Sequence, residues 1–259
     1  MRTLRLTLAY DGMGFDGWQV QPNRRTVQQT VQQALHRITG KEITVIASGR
    51  TDAGVHALGQ VVGFRTASTL TCDVMMQALN AHLPQDVVVL SVMEAEDGFH
   101  PIRDAERKTY RYVIRDGQLP NLFCRGYCWH VSQRLNVQAM QSAAQRLLGT
   151  HDFSSFESAG SKRVTSIRTI FESTVRREQS RGVGEEFEGD QVVYEVTADG
   201  FLYNMVRAIV GTLYDVGRGA VAPEHMEFVL QACDRKSASM TAPPLGLFLV
   251  NVKYPTHGS

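Results

Sequence analysis

The chain has 259 residues, of which 43% are hydrophobic, and its formal net charge is +1. This length and hydrophobic fraction indicate a globular protein with one large domain or two of ordinary size. Of the 27 basic residues, 22 are Arg and 5 are Lys. Because the planar guanidinium suits phosphates and bases, the bias favours a nucleic-acid partner, although an Arg-rich proteome would produce the same bias.

The four cysteines, Cys72, Cys124, Cys128 and Cys233, are too few and too scattered for a disulfide framework, which favours a reducing cytosol. Cys124 and Cys128 lie near His130, but no second pair completes a tetrahedral zinc site, so we expect no metal. The first residues alternate like a strand, and no run approaches the ~18 apolar residues of a membrane span. We therefore expect a cytoplasmic protein with no membrane partner.

The first half of the chain predicts six elements in the order β-α-β-β-α-β. An alternating strand opens the chain and leads into a glycine loop. A helix then begins at Thr26, which starts a Thr-x-x-Gln capping box, and it ends at Gly40. A second helix is capped by Thr71 and stopped by Pro84. The second helix is predicted at Cys72–His82, and the other strands at Ile43–Ile46, Gln60–Phe64 and Val87–Val92.

The second half repeats this order, with an accessory helix added before the last strand. The two units predict an α+β fold of two ferredoxin-like halves, residues 1–105 and 106–259, whose mostly antiparallel sheets form a central cleft. Between two of the strands, the charged segment Arg176–Asp190 indicates an exposed hairpin extension. The predicted strands are Tyr110–Ile114, Ile167–Val175, Val192–Ala198 and Phe248–Val252, and the helices are Asn136–Leu148, Tyr203–Val216 and Glu224–Cys233.

The segment Gly12–Gly17 has the G-x-G-x-x-G spacing of a dinucleotide-binding loop and follows a strand. A dinucleotide fold also needs a helix directly behind the glycines and an acidic residue about 20 positions further on, and neither is present. We therefore expect no cofactor. The glycines are interpreted as a tight loop that lets the backbone approach another surface, for example RNA.

The segment Ser48–His56, SGRTDAGVH, is a glycine-containing loop between two predicted strands. A polar turn is the ordinary role of an Asp such as Asp52 in this setting. Arg50, Asp52 and His56 nevertheless lie within seven residues, and such crowding of reactive side chains favours a functional loop. A carboxylate held at the strand ends can act as a nucleophile or a base.

Two further motifs carry candidate functional residues. KTYRY at Lys108–Tyr112 alternates as a strand, and with neighbouring arginines it is typical of surfaces that stack bases and hold phosphates, although an ordinary amphipathic strand has the same pattern. In GFLYNMVRAIVG at Gly200–Gly211, Arg207 is the one charged residue. A buried guanidinium needs a carboxylate partner, and Asp52 is the candidate.

Together these motifs resemble the tRNA pseudouridine synthase A family: GRTDAGVHA at 49–57, KTYRY at 108–112 and FLYNMVR at 201–207. The resemblance extends from the opening at Tyr10–Gln21 to the ending at Thr241–Val250. It implies an isomerase that converts uridine to pseudouridine at positions 38 to 40 of the tRNA anticodon stem-loop, with no cofactor and no metal. It also implies a homodimer whose tRNA spans both subunits.

The resemblance assigns roles residue by residue. Asp52 is the expected nucleophile, Arg207 its ion-pair partner, Tyr110 the stacking platform for the target uracil, and Arg50 the side chain that enters the stem when the nucleotide flips out. Whether Asp52 attacks the sugar C1′ or removes the C2′ proton stays open. Further candidate RNA contacts are Phe99, His100, Arg103, Lys108, Lys162, Arg163 and Arg168, of which the last three also fit a solvated charge run.

A noncatalytic RNA-binding module built from two RRM-like halves is the alternative of a different class. Neither half contains the RNP1 pattern of a basic residue, a glycine and spaced aromatic residues, which argues against a standard RRM.

Overall fold

The computed structural model describes residues 1–158, 160, 165–180 and 189–255. The chain forms two compact units, one of Met1–Lys108 with the segment from Phe248 onward, the other of Thr109–Leu247. The described residues contain ten strands and five α-helices, so the predicted α+β class is confirmed. The division into halves at residue 105 and the cleft between them stay predictions.

The first unit contains the predicted β-α-β-β-α-β order. Its strands lie in the order β4-β1-β3-β10, with the short β2 paired to β3. Neighbours pair antiparallel, except that β10 runs parallel to β3. Its elements are β1 (Arg2–Tyr10), α1 (Val27–Thr39), β2 (Ile46–Ala47), β3 (His56–Thr66), α2 (Cys72–His82), β4 (Val87–Ala95) and β10 (Leu247–Lys253). The first residue of β10, Leu247, is assigned to the second unit.

The core of the first unit follows from the alternation of β1 and the apolar stripes of its helices. Leu4, Leu6 and Leu8 point to one side of β1 and are completely buried, as are Leu35 of α1 and Leu79 of α2. Burying each such side chain contributes about 2 kcal/mol. This core supports the strand ends between which the candidate loop lies.

The start of α1 differs from the capping box that the sequence predicts. Thr26 is the residue before the helix, but its side chain caps no backbone N–H, and its buried Oγ1 has no hydrogen-bond partner among the described residues. The N–H groups of Val27 and Gln28 instead donate to the carbonyls of Gly17 and Trp18, at 3.2 and 3.0 Å. The preceding loop therefore satisfies donors that a capping side chain would otherwise bind.

The second unit has four main strands in the order β5-β9-β8-β7, with β6 parallel to β5. The sequence did not predict β6 or β7, which are three and four residues long and too short to show an alternating pattern. Its elements are β5 (Arg107–Asp116), β6 (Trp129–Val131), α3 (Val137–Gln145), β7 (Gly149–Asp152), β8 (Ile167–Ser180), β9 (Gly189–Ala198), α4 (Met205–Gly217) and α5 (His225–Ala232). The first two residues of β5 are assigned to the first unit.

The predicted hairpin extension is formed by the ends of β8 and β9. The two strands pair antiparallel out to Ser180 and Gly189, so the first part of the extension is regular sheet. Residues 181–188 lie outside the described part of the chain. Within the described part, no helix is long and apolar enough to cross a membrane.

Candidate active site

The candidate nucleophile lies on the loop that leads into β3, as the sequence predicts. We call residues 48–55 the Asp52 loop. Asp52 itself is half-buried and Arg50 is exposed. The loop turns tightly because the N–H of Val55 donates to the carbonyl of Asp52 at 3.1 Å, and Gly54 adopts a φ of +78° that few other residues tolerate.

The segment Gly12–Gly17, the glycine loop, packs against the backbone of the Asp52 loop. A Cβ at Gly12 would lie 2.1 Å from the carbonyl oxygen of Val55, and one at Gly17 would lie 2.8 Å from that of Thr51. The N–H of Gly54 also donates to the carbonyl of Phe15, at 3.3 Å. The surface that these glycines approach is therefore the Asp52 loop, which sequence analysis alone did not indicate.

Buried polar side chains hold the other side of the Asp52 loop. The hydroxyl of Tyr10 lies 2.8 Å from Thr51 Oγ1. Gln60, in β3, donates to the carbonyl of Gly49 at 2.8 Å and accepts from the hydroxyl of Ser48 at 2.7 Å. Sequence analysis missed Tyr10 and Gln60 as parts of the site; the signal for Gln60 was a polar residue within a strand whose neighbours are almost all apolar.

His56 begins β3 and is only 2% exposed. Its Nδ1 accepts from the N–H of Gly12 at 3.0 Å and lies 3.2 Å from Asp11 Oδ1. Its ring stacks on Phe248 of β10, with 4.7 Å between ring centroids. His56 therefore ties the end of the Asp52 loop to the glycine loop and to β10.

The other candidate RNA contacts of the first unit lie in two places. Lys108 donates from Nζ to the carbonyl of Ser48 at 2.6 Å and so contacts the start of the Asp52 loop. His100 accepts from the N–H of Arg103 at 3.2 Å within a local turn, and Arg103 donates to the carbonyl of Gly98. The ring of Phe99, in the same segment, packs on Tyr254. Contact of these residues with RNA stays a prediction.

In the second unit, Tyr110 lies on β5 with an exposed fraction of 8%. The ring of Phe201 meets it edge to face, with 5.0 Å between centroids and 83° between planes. This arrangement is favourable for aromatic pairs and fixes the plane of the Tyr110 ring. Stacking of that ring on a uracil stays a prediction.

Arg207 lies in the first turn of α4 and binds the segment that precedes β10. Its Nε donates to the carbonyl of Ala242 at 2.7 Å, and its Nη1 donates to Asn204 Oδ1 at 2.8 Å. The hydroxyl of Tyr112 donates to the carbonyl of Pro243, the residue after Ala242, at 2.7 Å. Burial raises the pKa of Tyr112 above its usual range, so this hydroxyl keeps its proton. The two bonds from Nε and Nη1 orient the guanidinium of Arg207. Asp52 belongs to the other unit, so its pairing with Arg207 stays a prediction.

The remaining candidates are the three residues of the predicted basic group, of which Arg168 lies on β8. Arg168 is half-buried and donates to the carbonyl of Thr165 at 3.1 Å. Lys162 and Arg163 lie outside the described residues. Among the residues that are described, no three His, Cys, Asp or Glu side chains gather in a way that could hold a metal ion.

Comparison with known proteins assigns the chain to a family. A family model described as tRNA pseudouridine synthase matches residues 7–102 and 143–255. The proteins named tRNA pseudouridine synthase A of Thermoanaerobacter sp. (strain X514), Acetivibrio thermocellus and Moorella thermoacetica are 42%, 44% and 45% identical to this chain. Each match covers 98% of this chain and 100% of the relative. The chain belongs to the tRNA pseudouridine synthase A family.

Membership of the tRNA pseudouridine synthase A family makes the chain an enzyme, an isomerase that modifies tRNA, and sets aside the noncatalytic RNA-binding alternative. The matched residues include Asp52 and Arg207, whereas Lys108–Tyr112 lies between the two matched segments. The KTYRY motif is therefore covered by the full-length relatives and not by the family model.

Proposed function

We propose that the chain converts uridine to pseudouridine in the anticodon stem-loop of tRNA, at positions 38 to 40, with Asp52 as the nucleophile. The observation that supports this role best is the anchoring of the Asp52 loop. Backbone hydrogen bonds, close glycine contacts and buried side chains hold Thr51 and Val55 on either side of a half-buried carboxylate. Catalysis benefits when a reactive group is held in position before the substrate arrives.

The reaction breaks the bond between C1′ and N1 of uridine, rotates the detached uracil and forms a bond between C1′ and C5. A proton leaves C5 and N1 gains one, so the product is an isomer and no cofactor is required. The carboxylate of Asp52 can attack C1′, or it can remove the C2′ proton and leave a glycal. The uracil must leave the helix stack first, because within the stack the enzyme cannot reach C1′ and the detached base cannot turn.

The other roles in this proposal follow from residue chemistry. Tyr110 offers a ring of fixed plane on which the flipped uracil stacks, and Arg207 supplies the charge that keeps Asp52 ionised. Arg50 is exposed and carries a planar cation, which suits the place that the flipped nucleotide leaves in the stem. The proposal includes a cytoplasmic enzyme, because tRNA is its substrate, and a homodimer that binds tRNA across both subunits.

Replacing Asp52 with Asn tests the nucleophile. We expect Asp52→Asn to form no pseudouridine, since an amide is a poor nucleophile and base, while its affinity for tRNA stays within about tenfold of that of the wild type, or about 1.4 kcal/mol. The measurement is pseudouridine formed at each position of an unmodified tRNA transcript, together with a binding isotherm. Asp97→Asn, the same change at an exposed position of the same unit, is the control and should retain full activity. Turnover by Asp52→Asn would contradict the role of Asp52.

A further inference from the structure

Three buried polar residues form a hydrogen-bonded cluster at the Asp52 loop and take no part in the reaction as proposed. They are Tyr10 at the end of β1, Ser48 at the start of the loop and Gln60 in β3, with exposed fractions of 4%, 0% and 0%. A buried polar group is costly unless it is hydrogen-bonded, so the bonds of these residues constrain where they and their partners lie.

The hydrogen bonds of these residues have a fixed direction. The side chain of Gln60 faces the carbonyl of Gly49, which can only accept, so its nitrogen points there and its oxygen accepts from Ser48. The same nitrogen lies 3.5 Å from the hydroxyl oxygen of Tyr10 and donates to it. Because a buried hydroxyl proton needs an acceptor, the proton of Tyr10 is directed to Thr51 Oγ1, at 2.8 Å.

We propose that Tyr10 is a positioning residue that orients Asp52 through Thr51, an inference that rests on the proposed function of Asp52 as the nucleophile. Thr51 immediately precedes Asp52, and its carbonyl also accepts from the N–H of Trp18 at 3.0 Å. Its side chain is thus anchored on β1, and its backbone on Trp18, the residue that follows the glycine loop. Together these bonds fix the backbone that enters Asp52 and so the direction of its carboxylate.

The protonation state of Tyr10 separates positioning from acid–base catalysis. Burial raises the pKa of Tyr10 to about 12, although hydrogen bonds with Thr51 and Gln60 lower it in part. The hydroxyl therefore keeps its proton throughout the neutral range. The ratio of wild-type to Tyr10→Phe rates should then stay constant from about pH 6 to about pH 9, because no ionisation of Tyr10 falls in that range.

The first experiment compares two buried tyrosines. We expect Tyr10→Phe to lower kcat for pseudouridine formation by about tenfold and to leave KM for tRNA within about twofold, because a small displacement of a reactive group slows chemistry more than binding. Tyr194→Phe is the matched control. Tyr194 is 1% exposed, and its hydroxyl lies 3.3 Å from that of Ser173 in the second unit. It loses the same atom and should keep the wild-type kcat.

The second experiment changes the other end of the same hydrogen bond. Thr51→Val should lower kcat by a similar factor, whereas Thr51→Ser, which keeps the hydroxyl, should have a kcat within about threefold of wild type. The double variant Tyr10→Phe with Thr51→Val should be no slower than Thr51→Val alone, since the two changes remove the same hydrogen bond. The proposal is overturned if Tyr10→Phe or Thr51→Val changes stability but leaves kcat per folded enzyme unchanged, as in the control. A rate ratio for Tyr10→Phe that varies with pH also overturns it.

These outcomes are distinguishable from failure of the proposed function. Turnover by Asp52→Asn removes the nucleophile and the positioning proposal together. If Asp52→Asn is inactive and the separate Tyr10→Phe variant has a normal kcat, Asp52 remains the nucleophile and only the positioning role of Tyr10 is overturned.

Discussion

At the scale of single residues, the position of the Asp52 loop depends on two glycines that come from a different part of the chain. Gly12 and Gly17 lie so close to the carbonyls of Val55 and Thr51 that a side chain at either position would overlap with backbone. Gly17 also has a φ of +90°, in the left-handed region where other residues are strained. This contact explains the first and last glycines of the G-x-G-x-x-G pattern.

We expect Gly12→Ala to damage both stability and catalysis. Its Cβ would lie 2.1 Å from the oxygen of Val55, so the Asp52 loop must shift. Such overpacking costs about 1–3 kcal/mol, and the shift should lower kcat by about tenfold or more. Gly117→Ala is the control, because a Cβ at Gly117 would meet nothing within 4 Å. Urea unfolding and single-turnover kinetics measure both effects; equal behaviour of the two variants would contradict this prediction.

The sequence indicates candidate reactive residues but not the residues that hold their loop. Arg50 and Asp52 stand out because charged and polar residues crowd into one short glycine-containing segment. Tyr10 and Gln60 lie at the end of one strand and inside another, and only their three-dimensional contacts reveal that they hold the same loop. Positioning residues of this kind have no local pattern, since their partners are distant in the chain.

At the scale of elements, one buried carboxylate joins the end of β5 to strand β8 of the β8–β9 hairpin. Asp116 accepts two hydrogen bonds from Arg177, at 2.7 and 2.8 Å, and one from the N–H of Leu135 at 2.8 Å. Arg134 lies beside it and also binds Asp190, on β9. Arg177 and Asp190, near the two ends of the predicted extension, therefore anchor the hairpin.

The Asp116 contacts should make stability depend on pH in the acid range. Burial raises the pKa of Asp116, but the hydrogen bonds from Arg177 and Leu135 outweigh it and hold the pKa below its usual value. Because the pKa of Asp116 is lower in the folded state, its contribution to stability is complete at any pH above the pKa in the unfolded state, about 3.9. The contribution is lost as the pH falls from there through the pKa in the folded state. The stability difference between wild type and Asp116→Asn should therefore be constant above about pH 5 and shrink below about pH 4.

Urea unfolding at pH 6, 4 and 3 measures this difference. At pH 6 we expect Asp116→Asn to lose about 3 kcal/mol, because the guanidinium of Arg177 is left without its buried partner. Asp215→Asn is the control, since Asp215 pairs with Arg218 at the surface, and it should lose less than about 1 kcal/mol. A difference that persists unchanged at pH 3 would contradict the assignment to Asp116.

Element boundaries show which physical signals a sequence carries. The helix α2 is predicted to the residue, because Thr71 caps it through the N–H of Val74 and Pro84 follows its end. The capping box predicted at Thr26 is wrong, because the first two N–H groups of the helix bind the carbonyls of Gly17 and Trp18 instead. Local caps are encoded locally, whereas a helix end that binds a distant loop cannot be recognised from its own residues.

At the scale of the whole molecule, the α+β class was predictable because strands and helices alternate with distinct periods along most of the chain. The pairing of β10 with β3 was not, since these strands are far apart in sequence and run parallel. An alternating pattern predicts that a strand has a buried face but says nothing about its neighbour.

The segment between β5 and β6 supports the proposed homodimer. Leu119, Leu122, Phe123 and Tyr127 all lie there, with exposed fractions of 87%, 63%, 68% and 44%. Large apolar side chains clustered at a surface often mark a protein contact. We therefore expect this segment to contact a second copy of the chain.

Sedimentation equilibrium tests this contact. The wild type should have twice the mass of the 28.8 kDa chain, and Leu122→Ser combined with Phe123→Ser should shift it towards the monomer by removing apolar area from the interface. Leu90→Ser is the control, because Leu90 is 50% exposed on β4, away from that segment in sequence, and should leave the mass unchanged. A monomeric wild type would contradict the homodimer. A double variant that stays dimeric would instead place the contact elsewhere on the surface.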